Sequence, residues 1–245
     1  MNLHLVMPMG GAGTRFFNNG YDCPKPLLKL HEKPFFYWAT ESVRKFIPLS
    51  GITFVVLQEH VTNFDIDREI LSFYPYARIV VLPQVLPGAV LTAMEGVKEL
   101  SPDTPVVFND CDHLFVSSAF EAFCAQGRPG CDGALLTFQS DEPKFSFLDF
   151  DDKGNVCRTV EKQVISHDAI CGAYYFNRVA TFLDAAERYL KTCDYSEYFM
   201  SGVYNELIAS GGVVRAMSTN LHIPFGTPEE WKIAEDDTRW ENYGL

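Results

Sequence analysis

Basic residues are scarce in this chain. It has 20 lysines and arginines against 32 aspartates and glutamates, which gives a net charge of −12. Binding of nucleic acid generally requires a basic surface that neutralises phosphates, so we expect no nucleic acid among the partners. An anionic ligand must instead be held by a local group of cations and backbone amides.

Two further absences narrow the class of protein. No stretch approaches the roughly 18 to 20 consecutive apolar residues of a membrane span, and the N-terminus lacks the basic and apolar segments of a signal peptide. We therefore expect no membrane partner. The 7 cysteines include no CxxC pair, which favours reduced thiols, a cytoplasmic location and no sulfur-bound metal.

The residues that are present indicate an α/β fold. In the first half, short runs of Val, Ile, Leu and Phe alternate with segments of helical period, which is typical of βαβ units and a mostly parallel sheet. The runs are Leu3–Met7, Ile52–Leu57, Arg78–Leu82 and Pro105–Asn109. The second half mixes strands and helices. We predict one Rossmann-like domain over residues 1–245, a mostly parallel mixed sheet flanked by helices, with halves at 1–130 and 131–245.

A glycine-rich segment follows the first predicted strand, with the sequence GGAGTR over residues 10–15. Glycines let the backbone approach a ligand closely, and their amides can form a nest for an anion. Arg15 adds a guanidinium suited to phosphate oxygens. The segment is neither a Walker A loop nor the dinucleotide pattern GxGxxG. It predicts a polyphosphate site, with a tight turn that binds nothing as the alternative.

A lysine between two prolines follows after a short spacer, in the sequence PKPLL over residues 24–28. The prolines stiffen this segment, so Lys25 is presented with little conformational freedom. Its ammonium could therefore neutralise a phosphate. An exposed lysine that is merely solvated is the alternative.

Together, the two segments resemble the N-terminal signature of the nucleotidyltransferases that make nucleoside-diphosphate sugars, the sugar-1-phosphate nucleotidyltransferase or pyrophosphorylase family. The resemblance implies a GT-A-like nucleotidyltransferase fold, in which residues 1–130 bind the nucleotide and 131–245 the acceptor. It implies catalytic roles for Arg15, on the triphosphate, and Lys25, at the α-phosphorus. The residues that it assigns to the nucleotide are Met9, Gly10, Gly11, Ala12, Gly13, Thr14, Gln84, Gly88 and Thr92.

Two aspartates end the strand predicted at Pro105–Asn109, in the sequence DCDHLF over residues 110–115. Carboxylates at a strand end suit Mg²⁺ that is shared with substrate phosphates. The segment is similar to the family's GDHLF, which implies that Asp112 is the metal ligand. Asp110 lies two residues earlier, and we assign it to the acceptor side. A cap or turn role is the alternative for either aspartate.

A second set of residues resembles the acceptor-binding part of the family. Glu161 and Lys162 match its EKP motif, although Gln163 replaces the proline, and Gly172 and Tyr174 match its GxYxF strand. The resemblance implies that Glu161 accepts hydrogen bonds from acceptor hydroxyls and that Lys162 pairs with the acceptor phosphate. A surface ion pair of little energetic consequence is the alternative for Glu161 and Lys162.

One position departs from the family pattern. The segment PFGTPE over residues 224–229 is similar to the family's DxGTPE, whose Asp is a second metal ligand, but Pro224 takes its place. Either the metal has fewer protein ligands, or a residue such as Asp110, His222 or an acidic side chain near Glu229 compensates. Imidazole is a poor ligand for Mg²⁺.

The resemblance implies an Mg²⁺-dependent enzyme that transfers NMP from an NTP to a sugar 1-phosphate and releases pyrophosphate, for surface polysaccharide precursors. Its partners would be the triphosphate and a phosphorylated small acceptor, with a homodimer possible. Three alternatives stay open: a cytidylyltransferase acting on a phospho-alcohol such as phosphocholine, a glycosyltransferase that uses the DxD of residues 110–112, and a non-catalytic nucleotide-binding regulator.

Overall fold

The computed structural model describes residues 2–245. Its strands are β1 (Leu3–Pro8), β2 (Lys29–Leu30), β3 (Lys33–Pro34), β4 (Leu49–Leu57), β5 (Arg78–Leu82), β6 (Val106–Asn109), β7 (His113–Val116), β8 (Gly133–Gln139), β9 (Ser146–Phe150), β10 (Val156–Glu161), β11 (Asp168–Phe176), β12 (Val214–Ser218) and β13 (Leu221–Pro224). Its α-helices are α1 (Thr14–Phe17), α2 (Phe35–Arg44), α3 (Gln58–Phe64), α4 (Ile66–Phe73), α5 (Ala89–Val97), α6 (Ser118–Ala125), α7 (Val179–Thr192), α8 (Met200–Ala209) and α9 (Pro228–Glu235). Short 3₁₀ turns cover Lys25–Leu27 and Arg239–Tyr243.

A central mixed sheet organises these elements. Its strand order is β10-β9-β11-β6-β1-β4-β5, while β8 pairs with β11 and with β12. Strands β6, β1, β4 and β5 run parallel, whereas β11 is antiparallel to β6, β8 and β9. The predicted fold class is therefore confirmed: an α/β fold with a mostly parallel first half and a mixed second half.

The parallel strands are apolar on both faces because helices cover both sides of the sheet. In β1, Val6 belongs to a fully buried cluster with Phe108 and Val90, whereas the adjacent Leu5 belongs to a different cluster with Val107. This double burial explains why the sequence shows continuous apolar runs and not the alternation of a half-exposed strand.

Strand β7 and helix α3 are among the elements that were not predicted. Strand β7 follows β6 after only three residues and pairs antiparallel with β13, with His113 opposite Pro224. Helix α3 follows β4 without a break. Both are short, and β7 is specified by its pairing with a strand more than 100 residues away, which no local pattern shows.

The topology brings the predicted motifs together at one sheet edge. Because β1 and β6 are parallel neighbours, their carboxyl ends meet there, and the segment after Pro8 lies beside the segment after Asn109. Strand β11 crosses antiparallel beside β6, where the Asp110 backbone N–H donates to the Gly172 carbonyl at 2.9 Å. Among residues 2–245, every helix is too short or too polar to cross a bilayer.

Candidate functional site

Two adjoining cavities open at the carboxyl edge of the sheet. The larger cavity has a volume of about 610 Å³ and is lined by the glycine segment, Lys25 and the loop before α5. The smaller cavity has a volume of about 220 Å³ and is lined mainly by β11, the ends of β9 and β10, and the segment around α9. Six residues line both cavities: Arg15, Ala89, Asp110, Asp112, Phe199 and Gly226. The two cavities therefore adjoin at these six residues.

The glycine segment lines the larger cavity from Gly10 to Thr14. Gly13 has φ 61°, a left-handed conformation that favours glycine, and it begins helix α1. A Cβ on Gly10 would approach the Leu82 side chain to 2.9 Å, whereas a Cβ on Gly11 would meet nothing within 4 Å. A side chain at position 10 would therefore require Leu82 to shift, whereas Gly11 leaves open space above the backbone for a ligand.

Lys25 forms an ion pair with Asp112 across the larger cavity. Its Nζ lies 2.7 Å from Asp112 Oδ2, and the side chains are 28 % and 23 % exposed. Burial opposes the charge of Lys25, but the Asp112 carboxylate outweighs it and raises the pKa of Lys25 above its usual value. Burial likewise opposes the charge of Asp112, and Lys25 holds the pKa of that carboxyl below its usual range. Both groups are therefore charged at neutral pH.

Asp110 is a half-buried carboxyl without an ion pair of this kind among the described residues. Burial and the nearby carboxylates of Asp112 and Glu161 raise its pKa to about 7, although Lys25 counteracts them. A Cβ on Gly172, which has φ +97°, would stand 2.9 Å from Asp110 Oδ2. Glycine at 172 therefore makes room for this carboxyl between the two cavities.

The residues at the junction fit a magnesium ion that is shared with phosphates. Asp110 and Asp112 supply two carboxylates, and Mg²⁺ is commonly bound through one or two carboxylates together with substrate phosphates and waters. Among residues 2–245, no group of three or more His, Cys, Asp or Glu side chains could hold a metal by itself. This donor set fits a substrate-bound ion and does not resemble a protein cage.

Glu230 brings a further carboxylate to this junction from the start of α9. The Thr227 hydroxyl caps this helix by accepting from the Glu230 backbone N–H at 3.2 Å, as the Thr-Pro pair predicts. Lys144 Nζ lies 2.7 Å from Glu230 Oε1, while a Cβ on Gly226 would lie 3.5 Å from Glu230 Oε2 and 2.6 Å from Asp112 Oδ2. Glu230 therefore stands near Asp112 in a region where Pro224 offers no side-chain oxygen.

Polar and aromatic side chains line the smaller cavity beyond the junction. Glu161 Oε2 accepts hydrogen bonds from the hydroxyls of Ser146 and Ser201. Tyr174 is only 8 % exposed, yet its hydroxyl has no hydrogen-bond partner within residues 2–245. His222 also lines the cavity with both ring nitrogens buried and unpaired. Burial and the neighbouring His113 keep the pKa of His222 well below its usual value, so its imidazole is neutral.

The structure brings most of the predicted residues to the two cavities. Arg15, Lys25, Gly88, Thr92, Asp110 and Asp112 line the larger one, and Glu161, Gly172 and Tyr174 line the smaller one. Three others line neither cavity. Met9 is 2 % exposed and packs in the core, and Gln84 is exposed before the loop at Pro87. Lys162 has φ 55° and is exposed, and its ammonium lies 4.3 Å from the centre of the Phe199 ring.

Several lining residues carried no signal in the sequence. Lys144 precedes β9, Ser146 begins it, and Glu197 and Phe199 precede α8. These residues reach the cavities only through the packing of β9 and α8 against β10. Glu230 is the exception, because an acidic side chain near Glu229 is expected from the TPEE sequence.

The fold and the paired cavities define an α/β protein with a candidate site at the carboxyl edge of its sheet. The chain belongs to the nucleotidyl transferase family, whose pattern matches residues 5–240. It is thus a nucleotidyltransferase, as the resemblance of its motifs indicates.

Solved structures with the same fold include two with named activities. A nucleoside-diphosphate-sugar pyrophosphorylase from Vibrio cholerae RC9 is 24% identical, with 95% of this chain and 100% of the other covered and a TM-score of 0.82. An inositol-1-phosphate CTP transferase from T. maritima is 15% identical, with 96% and 94% covered and a TM-score of 0.74. At these identities the similarity establishes the fold. No curated protein sequence matches the chain significantly.

Proposed function

We propose that the chain transfers a nucleoside monophosphate from a triphosphate to a sugar 1-phosphate and releases pyrophosphate. The observation that carries this proposal is the pair of adjoining cavities, which share Arg15, Asp110 and Asp112 at their junction. Such a site can hold a triphosphate and a phosphorylated acceptor with their reacting phosphates in contact. Proximity of this kind lowers the barrier of a two-substrate reaction.

The triphosphate belongs in the larger cavity. The amides of the glycine segment and the guanidinium of Arg15 would bind the β- and γ-phosphates, which leave as pyrophosphate. Lys25 would neutralise charge at the α-phosphorus, beside the shared wall. The stiff Pro-Lys-Pro turn holds this ammonium in place before the substrate arrives, so little reorganisation is needed.

The acceptor belongs in the smaller cavity. An acceptor phosphate oxygen attacks the α-phosphorus, a new P–O bond forms there, and the bond to the β-phosphate oxygen breaks. The attacking phosphate is already ionised at neutral pH, so no general base is required. Tyr174 and Glu161 would bind the remainder of the acceptor, and Lys162, which lies outside the cavity, would approach the acceptor phosphate only if its side chain moved away from Phe199.

Asp112 and Asp110 would hold Mg²⁺ together with the phosphates of the triphosphate. When bound, the ion would neutralise phosphate charge that accumulates during transfer. We include Glu230 among the side chains near this ion because Pro224 replaces the second aspartate of the family pattern.

Both halves of the chain would act as one unit. Glu197, Phe199 and Gly226 from residues 131–245 line the larger cavity, and Arg15 and Asp110 from residues 1–130 line the smaller one. The seven cysteines form no disulfide, which supports the cytoplasm as the place of the reaction. A nucleoside-diphosphate sugar made there would be a precursor for surface polysaccharide.

A phospho-alcohol is the second candidate for the acceptor. It is favoured by the shared fold with a structure named as an inositol-1-phosphate CTP transferase. In this case the larger cavity would take CTP and the reaction would be the same at phosphorus. The two candidates therefore differ only in the base and in the acceptor.

Pyrophosphate release tests both candidates together. The assay combines each of the four nucleoside triphosphates with Mg²⁺ and with a panel of sugar 1-phosphates, inositol 1-phosphate and phosphocholine. We expect release that requires one triphosphate and one acceptor together. Transfer of sugar from a nucleoside-diphosphate sugar, without use of any triphosphate, would instead show a glycosyltransferase.

A further inference from the structure

The carboxylate of Glu161 is bound unequally through its two oxygens. Its Oε2 accepts a hydrogen bond from Ser146 Oγ on β9 and another, of 2.8 Å, from Ser201 Oγ on α8. Its Oε1 has no hydrogen bond or ion pair within residues 2–245, although Glu161 lines the smaller cavity. Oε2 is therefore held by the protein, and Oε1 is free to accept a hydrogen bond from a ligand.

The two serines are themselves fixed by secondary structure. Ser146 is the register partner of Glu161 in the antiparallel β9–β10 pair. Helix α8 is attached to β10 through Asn205, whose side-chain amide bonds both the N–H and the carbonyl of Thr159, at 2.8 and 2.9 Å. The Thr159 hydroxyl also donates to the Ser201 carbonyl at 2.8 Å. Three elements thus converge rigidly on one carboxylate oxygen.

We propose that Ser146 and Ser201 are positioning residues, which hold Glu161 so that its second oxygen accepts a hydrogen bond from the acceptor substrate. This inference rests on the proposed function. A carboxylate that already has two donors on one oxygen is oriented before the ligand arrives, so the acceptor does not have to order it. The unpaired hydroxyl of Tyr174 lies in the same cavity and supplies a second polar contact.

The arrangement also limits the chemical class of the acceptor. An ionised carboxylate accepts hydrogen bonds only. The group that faces Glu161 must therefore be a donor, a hydroxyl or a protonated amine, and a second anionic group at this end of the acceptor would be repelled. Lys144 does not offset this charge, because its ammonium is paired with Glu142 and Glu230.

Separate kinetic constants for the two substrates test the inference. The variants are Ser146→Ala and Ser201→Ala, assayed with the triphosphate and acceptor that give the highest turnover in the wild-type chain. We expect each to raise KM for the acceptor about tenfold, since one hydrogen bond to a charged group is lost. KM for the triphosphate should stay unchanged, and kcat should change less than threefold. Ser146→Thr, which keeps the hydroxyl, should restore the acceptor KM.

A matched control is Ser166→Ala, because the Ser166 hydroxyl donates to the Leu148 carbonyl at 2.6 Å and has no contact with Glu161. Ser201 is 2 % exposed, whereas Ser146 is only half-buried, so Ser146→Ala carries the test if the other variant does not fold. Two results would overturn the positioning role alone. One is an acceptor KM that is unchanged in serine variants that turn over, and the other is an equal rise in KM for the acceptor and KM for the triphosphate. Absence of turnover by the wild-type chain with every acceptor would overturn the proposed function and this inference with it.

Discussion

Lys25 and Asp112 are 87 residues apart in the sequence, and their side chains meet in an ion pair of 2.7 Å. The pair joins the Pro-Lys-Pro turn to the tip of strand β6, at the wall between the two cavities. In the proposed reaction, a cation and an anion held together at this point would suit a transferring phosphoryl group, because the ammonium would face a phosphate and the carboxylate a metal.

Replacement of Lys25 tests its role at the α-phosphorus. We expect Lys25→Met to reduce kcat at least a hundredfold, which is the usual effect of removing one preorganised charge from a transition state. The matched control is Lys29→Met, because Lys29 is exposed on β2. The melting temperature must be measured as well, since Asp112 loses its partner. Equal turnover in both variants would contradict the role.

Alanine substitutions at Gly88 and Gly11 test the packing of the loop and the approach of a ligand separately. A Cβ on Gly88, which has φ +114°, would lie 2.6 Å from the Tyr198 backbone carbonyl, whereas one on Gly11 meets nothing within 4 Å. We expect Gly88→Ala to lower the free energy of unfolding by about 2 kcal/mol or more. Gly11→Ala should keep the wild-type stability and weaken triphosphate binding, because its methyl group enters the space above the loop. Calorimetric titration and urea unfolding measure the two effects, and unimpaired binding by Gly11→Ala would show that the triphosphate lies elsewhere.

Position 224 tests the metal site. Pro224→Asp should strengthen the binding of Mn²⁺, used as a spectroscopic substitute for Mg²⁺, about tenfold in the presence of triphosphate, since a carboxylate is added next to Phe225, whose backbone N–H donates to the Asp112 carbonyl. Pro224→Ala removes the proline without adding a ligand and serves as the control. Electron paramagnetic resonance counts free Mn²⁺ directly, without reliance on turnover. Equal affinity in both variants would indicate that the ion does not bind at this place.

His4 gives a pH-dependent stability. Burial and the neighbouring Arg78 lower the pKa of His4 to about 4, and its Nε2 lies 2.9 Å from the buried Thr53 hydroxyl. Between pH 6.5 and 4 the unfolded chain binds a proton that the folded chain does not. Stability is therefore complete above pH 6.5 and falls as the pH decreases, by up to about 1.4 kcal/mol per pH unit for this group.

His4→Gln removes this titration from the folded and unfolded states. The free energy of unfolding of the variant should fall less steeply than that of the wild type between pH 7 and 5, as measured by urea denaturation. Other histidines titrate equally in both proteins and cancel in the comparison. Parallel slopes would show that His4 is protonated in the folded chain.

The sequence was sufficient to predict the α/β fold class, and the nucleotide side of the site stays a prediction from its motifs. Parallel strands that are covered on both faces are continuous apolar runs, so β5 was predicted with its observed bounds, and the GGAGTR and PKPLL segments carry their chemistry locally. The acceptor side depends on tertiary packing. Ser146 and Ser201 have no local pattern that marks them, because they reach Glu161 through strand register and through the docking of α8.

Lys162 shows a second limit of prediction from the sequence. Its position after Glu161 fits the family motif, but its backbone is left-handed, its ammonium lies over the Phe199 ring, and Lys162 does not line the smaller cavity. A sequence motif specifies which residue follows which. It does not specify the φ angle that decides where the side chain points.

Phosphorus NMR of the complete reaction tests the nucleotidyl transfer most directly. The wild-type chain is incubated with Mg²⁺, the preferred triphosphate and the preferred acceptor, and each phosphorus species is followed over time. We predict a new diphosphate diester that appears together with one equivalent of pyrophosphate, and neither product when the acceptor is omitted. Formation of nucleoside diphosphate and orthophosphate, or pyrophosphate release that does not depend on the acceptor, would contradict transfer between the two cavities.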